Sequence, residues 1–125
     1  MRSVPRSLRD NSGTTVVEFA MVCPPFIAMV VGTLYMCLLF YGVSSLQFAV
    51  EDAARCASVN TTVCTDSATT VTYAQSRYKA ASVLNATFAS TSPACGHSVT
   101  ATANYVFNFG VKKVTFPVST AACYP

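Results

Sequence analysis

Two groups of residues in this 125-residue chain have types and spacings that could do chemistry. The first is the run Gly13-Thr14-Thr15-Val16-Val17-Glu18-Phe19, where a small residue precedes a lone acid at the head of a long uncharged stretch. A carboxylate deep in lipid costs roughly 3 kcal/mol on insertion scales, so a positive partner is expected beside it. A cut after Gly13 would supply one, because the new amine of Thr14 would lie four residues before Glu18. Those positions are neighbours on a helix, and the acid would also sit near the positive end of the helix dipole. Either the same chain's amine or that of a neighbouring subunit could neutralise Glu18. The second group is Cys56, Cys64, Cys95 and Cys123, all of which follow the uncharged stretch. An even number of cysteines in an oxidising compartment reads as two disulfides. Cys23 and Cys37 lie inside the apolar stretch and read as small hydrophobes.

Other chemistry has no frame around it. His97 is the only histidine and has no second ligand at metal-site spacing, so it reads as a solvated turn residue. No nucleophile motif surrounds the Ser, His and Asp residues, and there is no glycine-rich phosphate loop. No catalytic, metal-binding or cofactor-binding residues are therefore expected. Asn60-Thr-Thr and Asn85-Ala-Thr match glycosylation acceptors, which in a bacterial protein would be chance matches.

The composition shows what must position these groups. Hydrophobic residues make up 52% and charged residues 10%, against roughly a quarter charged in an ordinary soluble domain. Disorder and a freely soluble globule are both disfavoured. No Asp, Glu, Lys or Arg occurs from Phe19 to Val50, whereas Arg2, Arg6 and Arg9 crowd the start. Val16 to Val43 exceeds the roughly 20 apolar residues needed to cross a bilayer. The stretch is too long for the roughly 7 to 15 residue apolar core of a cleaved secretory signal, whose cut would fall near Ala49 to Ala53. Positive residues stay on the cytoplasmic side, so everything after the helix faces out. Nucleic acid is not expected as a partner, because Arg55, Arg77, Lys79, Lys112 and Lys113 are scattered and partly offset by Glu51, Asp52 and Asp66.

Helical spacing continues past the membrane stretch through Leu46, Val50, Ala53, Ala54 and Ala57, which predicts one helix from about Thr14 to Cys56. Pro24 and Pro25 remove two helix donors and read as a kink, with a locally melted helix that aids extraction from lipid as the functional alternative. Ala28 and Gly32 form a small-xxx-small pair suited to helix contact. Residues 60–67 read as a loop, and a Cys56–Cys64 bridge would staple it to the helix end. A second helix is expected over Thr70 to Leu84, with Val71, Ala74, Tyr78, Ala81 and Leu84 facing in.

Alternation from Ser98 to Phe109, broken only by Val106, then predicts a strand, with Val99, Ala101, Ala103, Tyr105, Phe107 and Phe109 on one face. A turn at Gly110 and a returning strand over Val114 to Ser119 follow, with Pro117 demanding an edge position. A short strand over Ala86 to Ser90 would complete a meander. The hairpin brings Cys95 towards Cys123, and matching the apolar faces pairs odd residues with even ones. Both cysteines are odd, so a bulge or break near Pro117 is expected. The fold class is α+β: a long N-terminal transmembrane helix, a second helix and a small antiparallel sheet of two or three strands, with disulfides.

Gly13, four intervening residues and then Glu18-Phe19, behind a short basic leader, resemble the type IV prepilin motif. Within those proteins the chain is similar to TadE-like minor pseudopilins of the tight-adherence (Flp) pilus system. Thr14 departs from the Phe usual after the cut in type II secretion pseudopilins, and an acid followed by an aromatic is the Flp arrangement. The prolines within the membrane helix, Ala53-Ala54-Arg55-Cys56, and a cysteine-bearing C-terminal region also match. The resemblance implies a leader over 1–13 removed by a prepilin peptidase between Gly13 and Thr14, a membrane helix over 14–43, and a helix extension with a small periplasmic head over 44–125. It implies a bacterial inner-membrane protein without catalysis of its own. Implied partners are the peptidase, other pilin and pseudopilin subunits, the inner-membrane assembly platform and membrane lipid. Glu18 and Phe19 would serve assembly, with Glu18 setting register against a neighbour's amine. The competing reading is an uncleaved single-span envelope protein whose exported domain is a binding module.

Overall fold

A computed structural model of the chain describes residues 12–108, 110 and 112–125, and Arg2, Arg6, Arg9 and Phe109 lie outside them. Helix α1 runs over Ser12–Val59 and contains both Pro24 and Pro25. It starts slightly before and ends slightly after the expected bounds. An uncharged apolar run without water must satisfy its own backbone, which favours a helix here. The chain divides after Met36 into two compact units. In the first, the large apolar side chains stand uncovered, Phe19 being 71% exposed and Met21 75%.

The second unit, Cys37–Pro125, has a core of its own. Leu46, Ala49, Val50, Ala53 and Ala54 of α1 are fully buried, while Gln47, Glu51 and Arg55 remain exposed. The alanines bring neighbouring elements close to the α1 backbone. Helix α2 covers Ser67–Arg77 and begins at Asp66, which forms a capping box with Thr69. It buries Thr70 and Ala74.

α2 is shorter than its periodicity predicted. Tyr78 has extended backbone angles, φ −73 and ψ 114. Its hydroxyl donates to the Leu84 carbonyl, and the Lys79 amide donates to Ser45 Oγ at 3.1 Å. These bonds replace helical ones and bury Ala80 in place of the expected Ala81. Tyr78 and Leu84 still face the core, so the apolar stripe was right and the regular helix was not.

The sheet is an antiparallel meander of β1 (Ala86–Thr91), β2 (His97–Asn108) and β3 (Lys113–Tyr124), in that order. Val99, Ala101, Ala103 and Tyr105 of β2 are buried with Phe88 of β1, and they join Leu46, Val50 and Leu84 in one core. Thr87, Thr102, Asn104 and Ser119 occupy the opposite, solvated face. As expected, β3 is an edge strand carrying Pro117, and odd residues pair with even ones: Tyr105 with Phe116, Phe107 with Val114. The rings of Tyr105, Phe107 and Phe116 meet edge to face at 4.6 and 5.8 Å between centroids.

The expected bulge is absent. The pairing continues unbroken from Asn108↔Lys113 to His97↔Tyr124, with Asn104 opposite Pro117. Cys123 lies opposite Ser98, while Cys95 sits before β2 begins, outside the ladder that alternation governs. Gly96, with φ 119, redirects the chain between Cys95 and the strand. A Cβ at Gly96 would collide with the Tyr124 carbonyl oxygen, so both the backbone angle and the close approach require glycine.

Candidate processing site and packing face

Gly13 and Thr14 stand at the start of α1, and a Cβ at Gly13 would meet nothing within 4 Å among the described residues. Glu18 follows one turn after Thr14, and both are exposed, as is Phe19. Because α1 begins at Ser12, Glu18 of the uncut chain lies beyond the first turn, where the terminal dipole has already faded. Removal of the residues up to Gly13 would shorten that separation and add an ammonium at Thr14. The geometry therefore permits the amine–carboxylate pairing that the spacing predicted.

On the same unit, Phe19, Ala20, Cys23, Pro24, Ile27, Ala28 and Val31 line a shallow, almost wholly apolar concavity. They recur at helical intervals of three and four, so they share one face. Small side chains at Ala20 and Ala28 keep that face low, and Phe19 and Ile27 flank it. Gly32 is likewise open, so the Ala28–Gly32 pair is available for close helix contact. Composition had marked the single pair; the continuous face emerges from its periodicity combined with proline at 24.

The cysteines of the second unit join as Cys56–Cys64 and Cys95–Cys123, with Cα separations of 5.9 and 6.3 Å. The first ties the end of α1 to the loop before α2. The second fastens the turn before β2 to the end of β3. Cys23 and Cys37 are free thiols.

A polar cluster that the sequence reading did not single out links the two helices of this unit. Tyr73 Oη donates to Asp52 Oδ2 at 3.2 Å, and Arg77 donates to Tyr73 Oη at 3.1 Å from Nε and 2.8 Å from Nη2. Arg77 Nε also lies 2.9 Å from Asp52 Oδ2. The bond to Tyr73, then the charges of Tyr73 and Asp52, hold the Arg77 guanidinium protonated even more firmly than usual. The available signal was Tyr73 and Arg77 at i and i+4 on α2. The cluster braces the fold at its surface. His97 is exposed at the start of β2, and no group of three or more metal-binding side chains comes together among the described residues.

Residues 13–55 match the family model for TadE-like protein. No curated protein and no solved structure gives a match. The matched segment starts at Gly13, includes Glu18, Phe19 and both prolines, and ends on the buried helical stripe of the second unit. Over this N-terminal helix, which is about a third of its length, the chain is similar to TadE-like proteins.

Proposed function

We propose that this protein is a minor pseudopilin that takes part in assembling a tight-adherence (Flp) pilus. In this reading a prepilin peptidase cuts between Gly13 and Thr14, removing the leader with Arg2, Arg6 and Arg9. The apolar part of α1 anchors the subunit as a single span of the bacterial inner membrane, with the disulfide-bonded head in the periplasm. The cut places a new ammonium one helical turn from Glu18, where a neighbouring subunit's amine or the chain's own can pair with it. Other pilin and pseudopilin helices then pack against the face formed by Ala20, Cys23, Pro24 and Ala28. The protein contributes architecture and performs no catalysis.

The observation that carries this reading is a coincidence of position. The open Gly13, the lone acid Glu18, the uncovered apolar helix and the start of the TadE-like match fall on the same short segment. A membrane helix whose side chains find no cover among the described residues needs lipid or other helices around it. The test is Gly13→Leu expressed with and without the cognate prepilin peptidase. The pseudopilin reading predicts a peptidase-dependent loss of the leader in the wild type and retention of the leader in G13L. An uncleaved envelope protein keeps the full-length mass of each variant whether or not the peptidase is present, which would refute the proposal. Glu18→Gln separates assembly from cutting: the mature mass should persist while co-purification with other pilin-type subunits falls.

A further inference from the structure

We propose that the two open edges of the sheet complement each other, so that the last part of β3 in one copy of this chain adds in parallel to β1 of a second copy. This contact goes beyond the function proposed above and uses the sheet alone, so it stands whether or not the leader is removed.

Proline fixes which backbone groups point outward. The β2–β3 ladder runs unbroken through Asn104↔Pro117, and Pro117 has no N–H to give. That position is therefore a non-hydrogen-bonded pair, with the Pro117 carbonyl turned away from β2. Alternation turns the N–H and C=O groups of Ser119, Ala121 and Cys123 outward as well. Carried across β2, the same alternation bonds Thr87, Ala89 and Thr91 to β2 and leaves the backbone groups of Ala86, Phe88 and Ser90 on the free edge of β1. Phe88 sends its ring into the core. Among the described residues, no hydrogen bond reaches these outward groups on either edge.

Sheet edges are ordinarily blunted by charge, proline or cover. On β3 the guards, Lys113 and Pro117, stand in the first half, and Val118 to Tyr124 holds neither charge nor proline. β1 has no charge or proline at all. The Cys95–Cys123 bridge fastens the far end of β3, so this edge is held in shape before a partner arrives. Because β1 and β3 both run antiparallel to β2, they share a direction, and a second copy in the same orientation offers its β1 parallel to β3. With Ser119 set beside Thr87 of the second copy, Ser119, Ala121 and Cys123 donate to the carbonyls of Ala86, Phe88 and Ser90. The N–H groups of those three donate in return to the carbonyls of Pro117, Ser119 and Ala121. Every outward donor on both edges finds an acceptor, and Pro117 is asked only for its carbonyl. The same register places Val118 and Thr120 beside Ala86 and Phe88 on the core side, whereas a slip of one residue would set the two faces against each other. The copies share one direction, as chains anchored in one membrane must.

The test places the photoreactive residue p-benzoylphenylalanine at Thr87, an exposed position on the outer face of β1, in the full chain. The chain is irradiated in its membrane, and the joined peptides are identified by mass spectrometry. The expected product joins position 87 of one copy to residues 117–121 of a second. Ala121→Pro removes one outward donor at a position equivalent to that of Pro117. It should lower the yield of this product about tenfold, because the interchain bond is lost and its acceptor is stranded. Both disulfides should persist in a non-reducing peptide map of A121P. Ala121→Lys adds a charged guard without altering the backbone and should lower the yield as well, which keeps the test decisive if A121P does not fold.

Products that join position 87 to β1 of a second copy would overturn the pairing of unlike edges. Products with other proteins alone would give the β1 edge to a different partner and overturn the contact between copies. Absence of any intermolecular product, or a yield unchanged in both Ala121 variants, would overturn the proposal outright. None of these results alters the mass of the mature chain, so leader removal is judged separately.

Discussion

Leu34 and Leu84 have the same side chain and opposite surroundings: Leu34 is 60% exposed in the first unit and Leu84 is 1% exposed in the second. The second unit buries its apolar residues against one another and locks its turns with two disulfides. The first places an apolar surface outward that nothing among the described residues covers. In the second unit, stability is an intramolecular property. In the first, the surroundings must complete the structure, and lipid and neighbouring helices are the solvents that suit it. Substitutions should therefore act on different observables in the two regions.

The largest expected effect is on the head, from the bridge that closes the longer loop. Replacing Cys95 and Cys123 with Ala, a pair separated by 28 residues, should lower the head's unfolding free energy by about 3.6 kcal/mol on loop-entropy grounds. Denaturant unfolding followed by a head-specific probe measures this. Leu84→Ala should cost about 3 kcal/mol through the cavity it leaves, whereas Leu34→Ala should leave the head's unfolding unchanged. Equal effects of the two would erase the comparison. Removing the Cys56–Cys64 bridge, with its separation of 8 residues, should cost about 2.5 kcal/mol by the same relation.

Smaller effects sharpen the account of how α2 ends. Tyr78→Phe removes the hydrogen bond to the Leu84 carbonyl and should cost about 1 kcal/mol. Burial first, and the charge of Tyr41 second, raise the Tyr78 pKa above its ordinary 10.0. The folded state therefore favours the neutral phenol, and its contribution is complete below pH 10 and lost as pH rises through the folded value. A stability profile between pH 9 and 11 should fall more steeply for the wild type than for Y78F. Asp52→Asn should have the least effect, about 0.5 kcal/mol, because the Arg77 and Asp52 side chains are 49% and 29% exposed.

The legible parts of the fold were those where one period dominates. Leu46, Val50, Ala53 and Ala54 announced the buried helical stripe, and Val99 to Phe107 announced the inner face of β2. The end of α2 was obscured because Tyr78 and Leu84 keep helical spacing while tertiary hydrogen bonds pull the backbone out of the helix. β3 extends beyond the expected Ser119 through Thr120-Ala121-Ala122-Cys123-Tyr124, where small residues on both faces give no alternation. There, pairing with β2 alone sets the strand. The disulfide partners were readable from the hairpin, but parity misled because Cys95 lies outside the ladder. Gly13 and Glu18 stand out in the sequence because a lone acid beside an uncharged run is conspicuous, and their proposed role awaits the cleavage test. The packing face was less so: its residues are ordinary apolar types, and only the helix puts them on one side.

The proposed function turns on cleavage of the bond between Gly13 and Thr14. Intact-mass analysis of the protein extracted from its native membrane tests this most directly. The account predicts a mature chain beginning at Thr14, with both disulfides retained. A chain beginning at Met1, or one cut near Ala49, would contradict it.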